Sequence, residues 1–355
     1  MKKENVIIYT NGLLNVDFAK TCHGLLRGTN RFNILGVIDS VHFGKDSGEV
    51  LDGRPRGIYV FETIEAFLQK TAQKPKYCVI GVAFPGGMLP ETCRAEIIQA
   101  MKNGMSIICG LHQLLGDDPQ FRQIARENGV ELIDIRKPRP TSELHFWTGE
   151  IFSVKTPIIA VLGTDCAIGK RTTCRFIMES CNAYGIKTEM IYTGQTGWMQ
   201  GYKHGFIFDA TANDFISGEI DRVILECDRE SSPDLILIEG QSSLRNPTGP
   251  CGSEFLLSRN VKGVILQHVP ARVCFIDLEE VGCLISSIES EIELIKMYGV
   301  KTLAVTLNEE GWDDDKTRIY QEQLSEKLSI PVIRPLKDGV EKLVPVIREF
   351  MENSA

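Results

Sequence analysis

The stretch VLGTDCAIGKRTT, residues 161–173, constrains the fold more than any other part of the chain. An apolar, β-branched run enters a loop bounded by Gly163 and Gly169, and Lys170 then opens a stretch with helical spacing. Strand, glycine-bounded turn and helix in that order wrap an anion. Backbone N–H groups turn inward, the helix offers its positive N-terminus, and a lysine ammonium reaches the outer oxygens. The loop holds five residues between its glycines, one more than the usual pattern. The residue after the lysine is Arg171, where magnesium-dependent loops carry the Ser or Thr hydroxyl that ligates the metal. Thr172 and Thr173 follow, so phosphate binding is kept while the usual metal ligand is lost. We therefore expect a phosphate site without an obligatory metal. Arg171 either pairs with a further phosphate or carboxylate, or is a solvated arginine on a helix surface.

The loop sits within a longer alternation of strand-like and helix-like segments. In the first half, strands are expected at 6–9, 34–38, 59–61, 78–82, 106–109 and 131–135, with helices at 17–26, 63–71, 91–103 and 118–128. Lys137 to Pro140 breaks the pattern with two prolines and two basic residues. A second series follows, with strands at 158–162, 187–192, 235–238, 263–267, 302–306 and 332–333, and helices at 170–184, 215–229, 253–259, 285–298, 314–328 and 340–351. The expected fold is α/β, with two doubly wound domains: a Rossmann-like domain over 1–150 and a phosphate-loop domain over 151–355. The first domain has no GxGxxG. Its informative pieces are Thr10-Asn11-Gly12, Asp39, Pro85-Gly86-Gly87 and Gly110-Leu111-His112 at strand ends, which suit a scaffold or substrate-completing role better than a dinucleotide site.

Composition narrows the partners. Thirty-nine Lys and Arg against 47 Asp and Glu give a net charge of −8, which opposes a nucleic-acid backbone or an anionic membrane. No apolar run approaches the ~20 residues of a membrane span, and the amino terminus has no signal-peptide pattern, so a cytoplasmic protein is expected. Eleven cysteines form no CxxC pair, and most lie in apolar segments, which reads as buried reduced thiols rather than a metal or disulfide framework.

The loop resembles the longer phosphate loop of dethiobiotin synthetase-like P-loop proteins, which open with Gly-Thr-Asp and close with Gly-Lys-Thr. A second match is LILIEGQSS, residues 235–243, a strand ending in Glu239 where those synthetases place an acidic residue facing phosphates and metal. With the turn at 193–197, the segment 214–218, Ile238-Glu239-Gly240-Gln241 and the run 268–272, the whole chain resembles the DUF1611 family of bacteria and archaea. That family joins an N-terminal Rossmann-like domain to a C-terminal P-loop domain, and its members include D-glutamate N-acetyltransferases. The resemblance implies acetyl-CoA-dependent N-acyl transfer to an amino acid, most closely D-glutamate, by a homo-oligomer, as a dimer.

On this reading Gly163, Thr164, Asp165, Ala167, Gly169, Lys170, Arg171, Thr172 and Thr173 form the cofactor loop, with no metal; within it Asp165 fixes the loop or contacts substrate rather than binding phosphate directly. Asn308 resembles the asparagine that reads adenine in the synthetases, or is a turn residue. Glu239 is the first candidate for the base that removes the ammonium proton, or a structural partner of Lys170; His268 is the second candidate. Gln195, Gln241, Arg245 and Arg272 are candidates for the amino-acid substrate, the arginines through a carboxylate or as ordinary ion pairs. Two other functions fit the same loop: an ATP- and Mg²⁺-dependent carboxylate ligase or kinase, with Glu239 on the metal, and a noncatalytic nucleotide or CoA sensor.

Overall fold

The β-branched runs of the first half assemble as parallel strands because each is followed by an amphipathic helix that returns the chain to the same sheet edge. In the computed structural model, which describes residues 3–258 and 261–353, they are β1 (Glu4–Tyr9), β2 (Phe32–Ile38), β3 (Val60–Phe61), β4 (Tyr77–Ile80), β5 (Ser106–Cys109) and β6 (Leu132–Asp134). The intervening helices are α1 (Lys20–Leu26), α2 (Ser47–Asp52), α3 (Ile64–Lys70), α4 (Glu91–Lys102) and α5 (Pro119–Asn128). The six strands lie in the order β3-β2-β1-β4-β5-β6, every pair parallel, which is the Rossmann order. Local chemistry sets the helix starts. Asp118 caps α5 by accepting from the amides of Gln120 and Phe121, and Pro119 fills its first position. The helix α2 was not expected; Asp46 nucleates it, accepting from Gly48, Glu49, Arg56 and Gly57 amides.

The second half gives β7 (Ile158–Gly163), α6 (Lys170–Ala183), β8 (Thr188–Ile191), α7 (Gln195–Gln200), α8 (Ile216–Ser231), β9 (Leu235–Glu239), α9 (Ser253–Leu257), β10 (Val261–His268), α10 (Ile288–Met297), β11 (Lys301–Leu307), α11 (Asp314–Leu328), β12 (Val332–Ile333) and α12 (Leu343–Glu352). The sheet order is β12-β11-β10-β7-β9-β8, again parallel throughout. All six residues of β7 are buried, as a strand near the middle of a two-sided sheet requires. Its carboxyl end therefore projects the glycine loop between the ends of β9 and β10. The helix expected over 253–259 ends at Leu257 in the structure, and Arg259 lies outside the described residues.

The compact units are Met1–Pro138 with Gln195–Tyr202, and Arg139–Gly194 with Lys203–Ala355. The boundary expected at 150 thus falls inside the second unit. The segment at 193–197, expected as a tight turn, instead starts α7, which packs in the first unit. Thr196 bonds to Thr21, Arg31 reaches the Trp198 carbonyl at 2.9 Å and stacks on its ring, and Gln200 donates to the Gly24 and Gly28 carbonyls. Tertiary contacts override the two glycines that make the segment look like a turn. In the same unit Asp39 is fully buried, and its carboxylate is taken by Thr10, by the Leu14, Val41 and His42 amides and by the His42 ring. The acid at the end of the second strand therefore serves the loop rather than a ribose. All eleven cysteines are free; Cys166, Cys274 and Cys283 are half-exposed and the others buried. No described helix is long and apolar enough to cross a membrane.

Candidate functional site

Loop shape follows from three small residues. A Cβ on Gly163 would stand 2.6 Å from Ile168 Cδ1, Ala167 adopts φ of 54°, and Gly169 adopts φ of 101°. These turns aim successive amides inward. The N–H groups of Ala167, Ile168, Gly169 and Lys170 have no acceptor among the described residues. An array of this kind at a helix N-terminus is an anion cradle.

Lys170 is 7% exposed, and its ammonium donates to the Asp165 carbonyl at 2.6 Å and the Ser242 carbonyl at 2.7 Å. Burial pushes its pKa down, while electrostatic interactions with nearby Cys166 and Asp165 oppose the shift. Arg171 points to Glu239, with 3.9 Å between Nη1 and Oε1. Its Nε is buried and has no hydrogen-bond partner among the described residues, so the guanidinium keeps an unused donor. Glu239 is 4% exposed and accepts from the Thr193 amide at 3.3 Å. Burial raises its pKa; Arg171, the Thr193 amide and Lys170 pull the other way. Gln241 donates to the Thr193 hydroxyl, which itself donates to the Glu239 carbonyl, so these residues brace the end of β9.

Asp165 is the hub of the loop. It is fully buried and accepts from the Cys166 amide (2.7 Å), Asn246 Nδ2 (3.1 Å), Arg272 Nη1 (2.9 Å) and the Ile276 amide (2.9 Å). Arg272 also donates to the Cys166 carbonyl and, through Nη2, to both oxygens of Glu310 at 3.2 Å. His268, at the end of β10, shares a 3.0 Å hydrogen bond between Nδ1 and Thr164 Oγ1. Burial pushes its pKa down to about 4, against a small opposing effect of Glu289, so the ring is neutral near pH 7.

The structure gathers Gly163, Thr164, Asp165, Ala167, Gly169, Lys170, Arg171, Glu239, His268 and Arg272 around the carboxyl ends of β7, β9 and β10. Thr172 is half-buried on the first turn of α6. Thr173 faces the sheet instead, its hydroxyl donating to Gln267 Oε1 at 2.6 Å. Asn308 donates to the Ile168 carbonyl and accepts from the Glu310 amide, which fixes the loop's flank. Arg245 is engaged by Ser290 and Glu291 of α10. Gln195 lies in the first unit, buried beside Gly110. Sequence reasoning missed Asn246, 1% exposed, and Ser242, whose left-handed φ of 38° turns its carbonyl to Lys170. A buried asparagine in a polar stretch leaves no pattern to find, whereas the Ser242 position follows the strand-end Glu-Gly that was recognised.

The chain matches the family described as "Domain of unknown function (DUF1611_C) P-loop domain" over residues 145–344 and its partner, "Domain of unknown function (DUF1611_N) Rossmann-like domain", over 40–138. It belongs to the DUF1611 family. Among curated relatives it is similar to a D-glutamate N-acetyltransferase of Pseudoalteromonas sp, 28% identical over 276 residues, covering 76% of this chain and 80% of that one. A D-glutamate N-acetyltransferase of Tritonibacter scottomollicae is 26% identical over 279 residues, covering 77% and 81%. A DUF1611 family protein of Anabaena variabilis, known from its crystal structure, shares the fold with a TM-score of 0.88 at 24% identity, covering 98% of this chain and 100% of that one.

Proposed function

We propose that this protein is an acyltransferase that moves the acetyl group of acetyl-CoA to the amine of an amino acid, with D-glutamate the acceptor suggested by the names of its relatives. The observation that carries the proposal is Arg171. Its guanidinium faces Glu239 where a magnesium loop would set a metal hydroxyl against an acid, and its buried Nε and the free amides of 167–170 are donors awaiting acceptors. Such a set fits the anionic phosphates of coenzyme A without Mg²⁺.

On this reading the loop amides, Lys170 and Arg171 hold phosphate oxygens, and Glu239 orients Arg171. Lys170 exchanges its two carbonyl partners for a phosphate, an exchange favoured because a buried ammonium gains more from an anion than from neutral carbonyls. The amine nitrogen attacks the thioester carbonyl, the C–N bond forms, and the tetrahedral intermediate expels the CoA thiolate. One proton leaves the nitrogen and one reaches the thiolate. His268 suits the proton transfer better than Glu239, because its neutral ring keeps Nε2 without a partner among the described residues, whereas Glu239 is held by Thr193 and Arg171.

The test is release of free CoA from acetyl-CoA on addition of D-glutamate in EDTA, with N-acetyl-D-glutamate identified by mass. Turnover in EDTA supports the proposal. Absence of any acetylated amino acid, together with Mg²⁺-dependent ADP formation from ATP and a carboxylate, would replace it with the ligase reading.

A further inference from the structure

Beside the phosphate loop, between the end of β10 and the start of α10, lies a cavity of about 230 Å³. Its lining includes His268, Arg272, Ser286, Tyr320 of α11 and the apolar side chains of Leu284 and Ile288. His268 is 8% exposed; Thr164 holds its Nδ1, and Nε2 has no partner among the described residues. The remaining polar groups are mostly donors. The hydroxyls of Ser286 and Tyr320 have no hydrogen-bond partner among the described residues, and Ile288 and Glu289 of the first turn of the ten-residue α10 line the same cavity, with the Ser290 amide capped by Ser287. Among the described residues, Arg272 Nη2 is held by the two 3.2 Å contacts to Glu310, whose side chain is 41% exposed. Glu289, the acid on the rim, is neutralised by Lys327 at 2.5 Å.

We propose that this cavity is the acceptor pocket, and that it takes an amino acid through a carboxylate, an inference that rests on the acetyl-transfer reading. The carboxylate displaces Glu310 from Arg272 Nη2 and takes the Ser286 and Tyr320 hydroxyls and the α10 amides. The aliphatic part of the substrate lies on Leu284 and Ile288, and the amine faces His268 Nε2. The pocket meets the phosphate loop through the Thr164–His268 bond and through Arg272, which binds Asp165 and the Cys166 carbonyl. These hydrogen bonds tie the acceptor pocket to the loop that holds the donor, as direct attack of the amine on the thioester requires.

The experiment compares the wild type with Tyr320→Phe and with Ser286→Ala/Tyr320→Phe, each checked for native circular dichroism. KM is measured separately for D-glutamate and for acetyl-CoA. We expect the double variant to raise KM for D-glutamate by roughly tenfold or more, the size of lost hydrogen bonds to a charged group, and to leave KM for acetyl-CoA unchanged. An unchanged KM for D-glutamate, or an equal rise for acetyl-CoA, overturns the assignment while acetyl transfer stands. If the wild type transfers no acetyl group, calorimetric titration with D-glutamate in the presence of CoA decides the pocket alone. Heat lost in the double variant upholds a carboxylate site, and equal heat or none removes it.

Discussion

Replacing Asp165 by alanine tests whether the loop is held by its own carboxylate. The side chain is fully buried and accepts four hydrogen bonds, from Cys166, Asn246, Arg272 and Ile276. Removing one partner of a buried ion pair costs about 3–5 kcal/mol, because the other charge is left uncompensated. Arg272 keeps Glu310 and the Cys166 carbonyl, which moves the pair's share to the lower end. The orphaned Ile276 amide and Asn246 side chain add about 1–3 kcal/mol each where they stay dry. These costs share partners and overlap, so we expect a total loss of about 4–5 kcal/mol, and about half of that for Asp165→Asn, which keeps one acceptor oxygen. Urea unfolding measures it in a Trp198→Phe background, where the two remaining tryptophans, Trp147 and Trp312, both report on the second unit. A loss below about 1 kcal/mol would refute the hub. So would a variant of wild-type stability whose only change is weaker acetyl-CoA binding, since that is the behaviour of a carboxylate contacting ligand directly.

Lys170→Ala should raise the dissociation constant for acetyl-CoA by roughly 10- to 150-fold in calorimetry with the fold intact; unchanged affinity removes the lysine from the site. Arg171→Thr restores the hydroxyl that a metal loop uses, and acetyl-CoA affinity should fall equally with Mg²⁺ and with EDTA; affinity rescued by Mg²⁺ would show that a metal geometry persists. Burial sets the folded pKa of Glu239 above its unfolded value, so its contribution to stability falls as pH rises through these values. Glu239→Gln should flatten that part of the urea-measured pH profile, and an unaltered profile refutes it. His268 has the opposite sign: its folded pKa of about 4 lies below the ordinary histidine value of about 6.5, so stability is lost as pH falls between them. Its replacement by Gln should remove that slope, and a slope that persists assigns it to other groups.

Both sheets were legible because strand-length apolar runs alternate with helical stretches, and the loop because glycine, lysine and helix start are local in sequence. Most of what the sequence hid is set by tertiary packing. Nothing local makes residues 195–200 part of the first unit; the contacts of Thr21, Arg31 and Gly24 decide it. Thr173 and Thr172 look alike in sequence, yet helical rotation turns Thr173 into the core onto Gln267. Asp165 reads as an acid that fixes its loop or contacts substrate, and only the fold brings Asn246, Arg272 and Ile276 to engage it within the loop. The cavity depends on Tyr320, 52 positions beyond His268, and no spacing rule joins them.

The charge balance of the loop argues for the same division of labour. Arg272 is matched by Asp165 and Glu310, and Arg171 by Glu239, which leaves Lys170 as the loop cation whose hydrogen bonds end on neutral carbonyls. One unmatched ammonium beside inward amides attracts an anion. A divalent metal placed between the phosphates and Glu239 would meet the Arg171 guanidinium already there, and like charges so close in a buried site repel by several kcal/mol. On the acetyl-transfer reading, arginine at this position supplies positive charge where a magnesium loop would place its ion. Retaining a buried Glu239 is costly, and on the same reading the cost is explained if the acid's task is to hold Arg171 with its Nε available to a phosphate.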